Sequence, residues 1–249
     1  MEKYSQKPLI DLFKAGAFPG ENSIPKHVET VISNVFIFEG NVYKFYKNDA
    51  DFFNKNFRDI LGNDARFSFT EKDFQWNQIL SPDIYVRLAY VAVQEGKIIE
   101  VSNKEEAEEI LMVMNRVDTH DVLFEKLVKG GLTENDYFGI GKQMGERMKK
   151  VQSTPSVPQN FSSLFIERVK DVREWMAPMS QYFNEGESAH YCDFLDNFHA
   201  QNQEWFDTAL SAEVTADGDF HSQNAIYSDH KFSLMDTYPP KDEWGLGHK

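Results

Sequence analysis

Cysteine is almost missing from this 249-residue chain. Cys192 is the single copy, so no disulfide can form within the chain, and a reducing compartment suits it. A zinc site is not expected either: Cys192 has His190 and His199 nearby, but a closed site wants four ligands and no paired ligand spacing is present. Long apolar runs are absent, and nothing approaches the eighteen or more residues of a membrane span. The start, Met1-Glu2-Lys3-Tyr4-Ser5, lacks the apolar core of a secretory signal, so a soluble, cytoplasmic protein without membrane association is expected. Basic residues are in deficit, 26 Lys and Arg against 40 Asp and Glu, for a net charge of −14. Phosphate-backbone affinity needs clustered cations, and none stands out, so nucleic acid is not an expected partner. The acidic surface serves solubility and suits a cationic small molecule.

What is present is a globular composition. Hydrophobic residues make up 41% and charged residues 27%, with 21 phenylalanines to fill an interior. The length allows one large domain or two lobes. No internal repeat or low-complexity tract appears.

Periodicity divides the chain into a β-rich first half and a helical second half. Leu9, Ile10, Leu12, Phe13 and Ala17 predict a short helix closed by Phe18-Pro19-Gly20. Val28, Val31-Ile32, Val35 to Phe38 and Val42 to Tyr46, with Glu39-Gly40-Asn41 as a turn, predict a two- or three-stranded antiparallel meander. A helix over Thr70 to Leu80 follows, with Thr70 as N-cap. Paired strands are expected at Tyr85 to Val93 and Ile98 to Val101, and one more at Leu111 to Met114. Beyond Val122 one helix ends at Gly130-Gly131 and another starts at Thr133-Glu134-Asn135-Asp136. Ser153 to Asn160 reads as an extended connector, and two helices follow at about Phe161–Phe183 and Ser188–Leu210, separated at Gly186. Gly139-Ile140-Gly141-Lys142 is not a phosphate loop, since it lies within a helix and no Ser or Thr follows Lys142.

The chemistry concentrates in Asp217-Gly218-Asp219-Phe220-His221-Ser222-Gln223-Asn224, followed by Asp236. An acid, an amide five residues on and a second acid beyond a short hairpin is the arrangement that places a base and a divalent cation around a nucleotide. Asp219 fits the base, while Asn224 and Asp236 supply oxygen ligands of the kind magnesium prefers. Ala225 to Tyr227 and Phe232 to Met235, joined by Ser228-Asp229-His230-Lys231, read as the hairpin that brings the two ligands to one side. A surface Asp-Gly-Asp turn is the plainer alternative, whereas a calcium loop is excluded by Ser222 and Ser228 where Gly and Glu are needed. Lys44, within an aromatic strand, is either a solvated outward residue or a cation reaching nucleotide phosphates. Asp73 and Glu71 are its candidate partners on the following helix, and each could equally be a solvated first-turn acid.

Taken together, His27 to Ser33, Val42-Tyr43-Lys44, Asn77 to Tyr85, the strand before Arg116 and Gly218 to Asn224 resemble the aminoglycoside phosphotransferase-like branch of the protein-kinase-like superfamily. The resemblance is nearest to bacterial phosphotransferase-like domains often fused to a P-loop ATPase. It spans about Leu9 to Asp236, with only the Asp219 segment specific. The resemblance implies an α+β, protein-kinase-like bilobal fold: an N-lobe over 1–115 with an antiparallel sheet and a helix, and a mostly helical C-lobe over 116–249. It implies ATP and magnesium as cofactors and a small-molecule hydroxyl as acceptor. Lys44 would bind phosphates, with Asp73 as the favoured helix acid; Ser33, Met112 and Met114 would contact the nucleotide, with the hinge at Met112 to Arg116. Asp219 would be the base, and Asn224 and Asp236 the metal ligands. Asp217 stands where the family has His, and the family continues with further helices where this chain ends at Lys249. A catalytically degenerate nucleotide-binding module is therefore the alternative expectation.

Overall fold

The computed structural model describes residues 5–49, 60–150, 161–176, 185–207 and 221–237. The expected connector over 153–160, and Asp217 and Asp219 with it, lie outside the described residues. The chain forms two compact units, one of 1–152 with 216–241 and the other of 153–215 with 242–249. The segment bearing Asn224 and Asp236 thus belongs to the same unit as the sheet. The architecture is α+β, built on an antiparallel sheet.

Six strands run in the order β1-β2-β3-β6-β4-β5: β1 Lys26–Glu29, β2 Ser33–Ile37, β3 Asn41–Tyr46, β4 Tyr85–Gln94, β5 Lys97–Glu100 and β6 Glu109–Asn115. Alternation gives the sheet two different faces. On one, Phe36, Tyr43, Phe45, Leu111 and Val113 form an aromatic core with Leu9 and Phe13 of helix α1 (Lys7–Lys14). Phe13 stacks on Phe36 at 4.5 Å between ring centroids. Gly16, at φ 73°, closes α1 where a Cβ would come within 2.8 Å of the Ser23 carbonyl oxygen, so no other residue fits without movement. On the other face the register sets Val35 opposite Lys44, Val42 opposite Met114, and Lys44 opposite Met112.

Helix α2 covers part of this second face and runs over Asn63–Leu80. It begins seven residues before the expected N-cap Thr70, which instead lies in the helix interior and donates its hydroxyl to the Arg66 carbonyl at 2.8 Å. The early start is fixed by tertiary contacts. Arg66, fully buried, pairs with Glu109 at 3.0 Å, and the Gln6 amide donates to the same carboxylate at 2.6 Å. Burial pushes the Glu109 carboxyl pKa up, against the opposing pull of Arg66 and Gln6, so the network is compact but electrostatically costly.

Below the sheet in sequence, α3 (Leu123–Lys129) ends at Gly130, φ 68°, and α4 (Glu134–Met148) begins with a capping box between Thr133 and Asp136. The hairpin β7 (Ala225–Ser228) and β8 (Lys231–Leu234) turns through Asp229 and His230, both at positive φ, as expected of a two-residue turn. It is fastened to α4: the Tyr227 hydroxyl donates to Asp136 at 2.8 Å, and Gln143 bonds the His230 carbonyl and the Phe232 N–H. Phe232 and Leu234 join Trp76 and Leu80 of α2 in a shared core.

The second unit contains α5 (Phe161–Met176), α6 (Glu185–Gln201) and α7 (Gln203–Asp207). Gly186 lies within α6, so it is not the helix break that was expected there. Ser162 and His199 hydrogen-bond at 2.6 Å, and Phe165 stacks on the same imidazole. Among the described residues no helix is long and apolar enough to cross a membrane.

Candidate functional site

The second face of the sheet, left open beyond α2, walls a cavity of about 750 Å³. Val35 and Ile37 of β2 with Val42 of β3 form one side, and Ile84, Met114 and Val117 continue the apolar lining. Lys44, Asn224 and Asp236 line it as well, and Lys26, Glu39, Asn115, Arg116 and Asp118 add further polar groups to the wall. Residues remote in sequence meet here because β3 supplies the lysine while the hairpin ends supply the amide and the acid. The Asn224 carbonyl accepts the Met235 N–H at 2.7 Å, which sets Asn224 beside the chain leading into Asp236. His221 orders the approach, its Nδ1 accepting the Gln223 N–H at 3.2 Å.

Lys44 is anchored on three sides. Its Nζ forms an ion pair with Asp236 and lies 5.1 Å from the Tyr46 ring centroid. Burial alone would lower its pKa, but the charges of Asp236 and Asp73 together outweigh burial and leave it raised. The ammonium is therefore retained at neutral pH. Asp73, buried behind it, accepts the Tyr46 hydroxyl at 2.7 Å and the Asn77 amide at 3.0 Å. Glu71, the other candidate partner, faces elsewhere and takes Lys104 and the Tyr90 hydroxyl, each at 2.7 Å.

Asp236 adopts a left-handed backbone, φ 53°, uncommon outside glycine. Its N–H donates to the Tyr85 hydroxyl at 2.9 Å while its carboxylate turns to Lys44. Its side chain is 48% exposed against 7% for Lys44, so the carboxylate is the reachable partner. Oxygen donors from Asn224 and Asp236 at one cavity end fit a hard divalent cation completed by water or phosphate. Among the described residues no group of three or more His, Cys, Asp or Glu side chains is set to hold a metal on its own.

No family model and no curated protein matches this chain.

Of the residues singled out in the sequence, Lys44, Met114, Asn224 and Asp236 line one cavity. Asp73 stands behind Lys44 and acts through its charge. Met112 shares the face but is fully buried with Tyr46, Phe74 and Ile84 and does not reach the cavity. Ser33 is 2% exposed and occupied with Thr30, its hydroxyl 2.8 Å from the Thr30 hydroxyl in the β1–β2 turn. The N–H of Asn115 donates to Ile84 and that of Arg116 to Gly40, whereas the Val117 N–H and carbonyl take no partner among the described residues. Val117 lines the cavity but was not singled out in the sequence, because open backbone groups carry no residue-type signal. Tyr46 and Asn77 were missed because a buried polar partner looks like any core or surface residue until the fold is known.

Proposed function

We propose that this chain is an ATP- and magnesium-dependent phosphotransferase of protein-kinase-like fold, acting on a hydroxyl of a small molecule. The observation that carries this reading is that Lys44, Asn224 and Asp236 line one cavity together with an apolar group of Val35, Ile37, Val42, Ile84, Met114 and Val117. A nucleotide has that polarity: a flat base for the apolar slot and a phosphate tail for the cation end. Val117 offers one backbone donor and one acceptor at the slot, the pair that an adenine edge needs. Lys44, protonated and held by two carboxylates, supplies a fixed positive charge for phosphate oxygens. Asn224 and Asp236 would hold magnesium, whose contribution is to neutralise charge on the phosphates.

In this reading Asp219 accepts the proton of the acceptor hydroxyl as its oxygen bonds the γ-phosphorus. The bond from that phosphorus to the β–γ bridging oxygen breaks, and ADP leaves. The acidic surface suits a cationic acceptor. Turnover of ATP by the full chain, compared with Asp219→Ala, tests the assignment: a loss of a hundredfold or more is expected, and equal rates would sink it.

A second reading is a nucleotide-binding regulatory module without transfer, favoured by Asp217 at the position where the resembled family has His. It requires the same Lys44, Asn224 and Asp236 geometry. Magnesium-dependent ATP binding without turnover would select it.

A further inference from the structure

Asn77 lies one helical turn after Asp73 on α2, with its side chain fully buried. Its amide nitrogen donates to the Asp73 carboxylate at 3.0 Å and to the Thr237 carbonyl at 2.7 Å. Its amide oxygen accepts the Thr237 hydroxyl at 2.9 Å and the Thr237 N–H at 3.3 Å. The side-chain amide thus pairs with both backbone groups of Thr237 as a neighbouring strand would. Trp76 adds a bond from its indole N–H to the Thr237 hydroxyl at 3.1 Å. The same side of α2 and its continuation tracks the rest of the segment: Ser81 accepts the Leu234 N–H at 2.7 Å, and Tyr85 accepts the Asp236 N–H.

We infer that Asn77 is a positioning residue for the candidate metal carboxylate: by bonding Asp73 and the peptide after Asp236 together, it fixes the two acids that flank Lys44 in one frame. No apolar side chain can do this, because it would leave the buried Thr237 N–H and carbonyl without their partner. A carboxylate could accept from Thr237, but it could not donate to Asp73 and would repel it. The left-handed backbone of Asp236, a region aspartate tolerates better than most residues, gives the anchor a defined conformation to hold. A residue in that conformation is held by its surroundings, and the bonds at Asp236 N–H and Thr237 lie immediately around it.

The ligand used in the test rests on the nucleotide reading above, so a ligand-free measurement accompanies it. With the full chain, ATP affinity is measured in EDTA and in magnesium for wild type, Asn77→Leu and Thr237→Val, and amide exchange is followed without ligand. A residue behind a metal ligand typically costs about tenfold or more in metal-linked binding when replaced. For Asn77→Leu the expected result is an at least tenfold smaller magnesium-dependent gain in ATP affinity, with metal-free affinity within threefold of wild type. The amides of Asp236 and Thr237 should exchange at least tenfold faster, with the β2 and β3 amides unchanged. An unchanged magnesium gain overturns the inference. So does a parallel loss of metal-free affinity and β2–β3 protection, which would mark a residue needed only for stability. If Asn77→Leu does not fold, Thr237→Val, which keeps the backbone pair, should show both effects at threefold or more, and no effect overturns the inference. If wild type binds no ATP, the nucleotide reading falls, and unchanged exchange at Asp236 and Thr237 then separately overturns the positioning role.

Discussion

Lys44 and Asp236, 192 residues apart in sequence, form an ion pair in the wall of the sheet cavity. The pair is asymmetric: the lysine is buried, whereas the carboxylate is half exposed. In the proposed reading an entering magnesium–phosphate group would meet the half-exposed carboxylate first, with the ammonium held behind it. Replacing Lys44 with Met removes that cation and leaves Asp73 and Asp236 without it. Charge-assisted bonds contribute about 1.5–3 kcal/mol, so ATP affinity should fall roughly 10- to 100-fold. Titration calorimetry measures this directly, and unchanged affinity would show that Lys44 faces no phosphate.

The Arg66–Glu109 pair, unlike Lys44–Asp236, is buried on both sides, and its role is structural. Arg66→Ala strands a buried carboxylate and should cost about 3–5 kcal/mol in urea unfolding. The double variant Arg66→Met with Glu109→Leu should recover most of that loss, because it removes both desolvated charges. A single variant that loses less than about 1 kcal/mol would contradict the assigned burial.

How much of this was legible before the fold was known differs by element. The β2 and β3 strands were, because Phe36 and Phe45 alternate with Val35 and Lys44 and only a two-sided sheet accommodates both sets. The hairpin was, because Ser228-Asp229-His230-Lys231 separates two apolar runs. The start of α2 was not: Arg66, Thr70, Asp73 and Asn77 are all buried through partners far away in sequence, and this erases the apolar stripe that marks a helix. At the site, residue types pointed to Lys44, Asn224 and Asp236, while the choice between Glu71 and Asp73 needed the position of Lys104.

Thr133 caps α4 and accepts the Asp136 N–H, with the Asp136 carboxylate returning to the Thr133 N–H at 2.8 Å. Thr133→Ala should lower stability by about 1 kcal/mol, and Thr133→Ser should restore most of it. Chemical denaturation of the three proteins checks this. Equal stability would show that the cap contributes nothing.

Tyr90 gives a pH dependence of known sign. Burial first, and then its hydrogen bond to Glu71, raise the phenol pKa to about 12, from an ordinary value of about 10. A group with a raised folded-state pKa contributes stability that is complete below the unfolded value and is lost as pH rises through the folded value. Wild type should therefore lose this contribution between about pH 10 and 12, and Tyr90→Phe should lack that part of the decline. Unfolding midpoints across this range distinguish the two. Parallel curves would show that the phenol is not held by Glu71.

The most direct test of the candidate site is calorimetric titration of the full chain with ATP, with and without magnesium, in wild type and Asp236→Asn. Saturable binding to wild type, tightened by magnesium, with the tightening lost in Asp236→Asn, is the predicted result. If wild type gives no binding heat and no thermal stabilisation under either condition, Lys44, Asn224 and Asp236 do not form a nucleotide site.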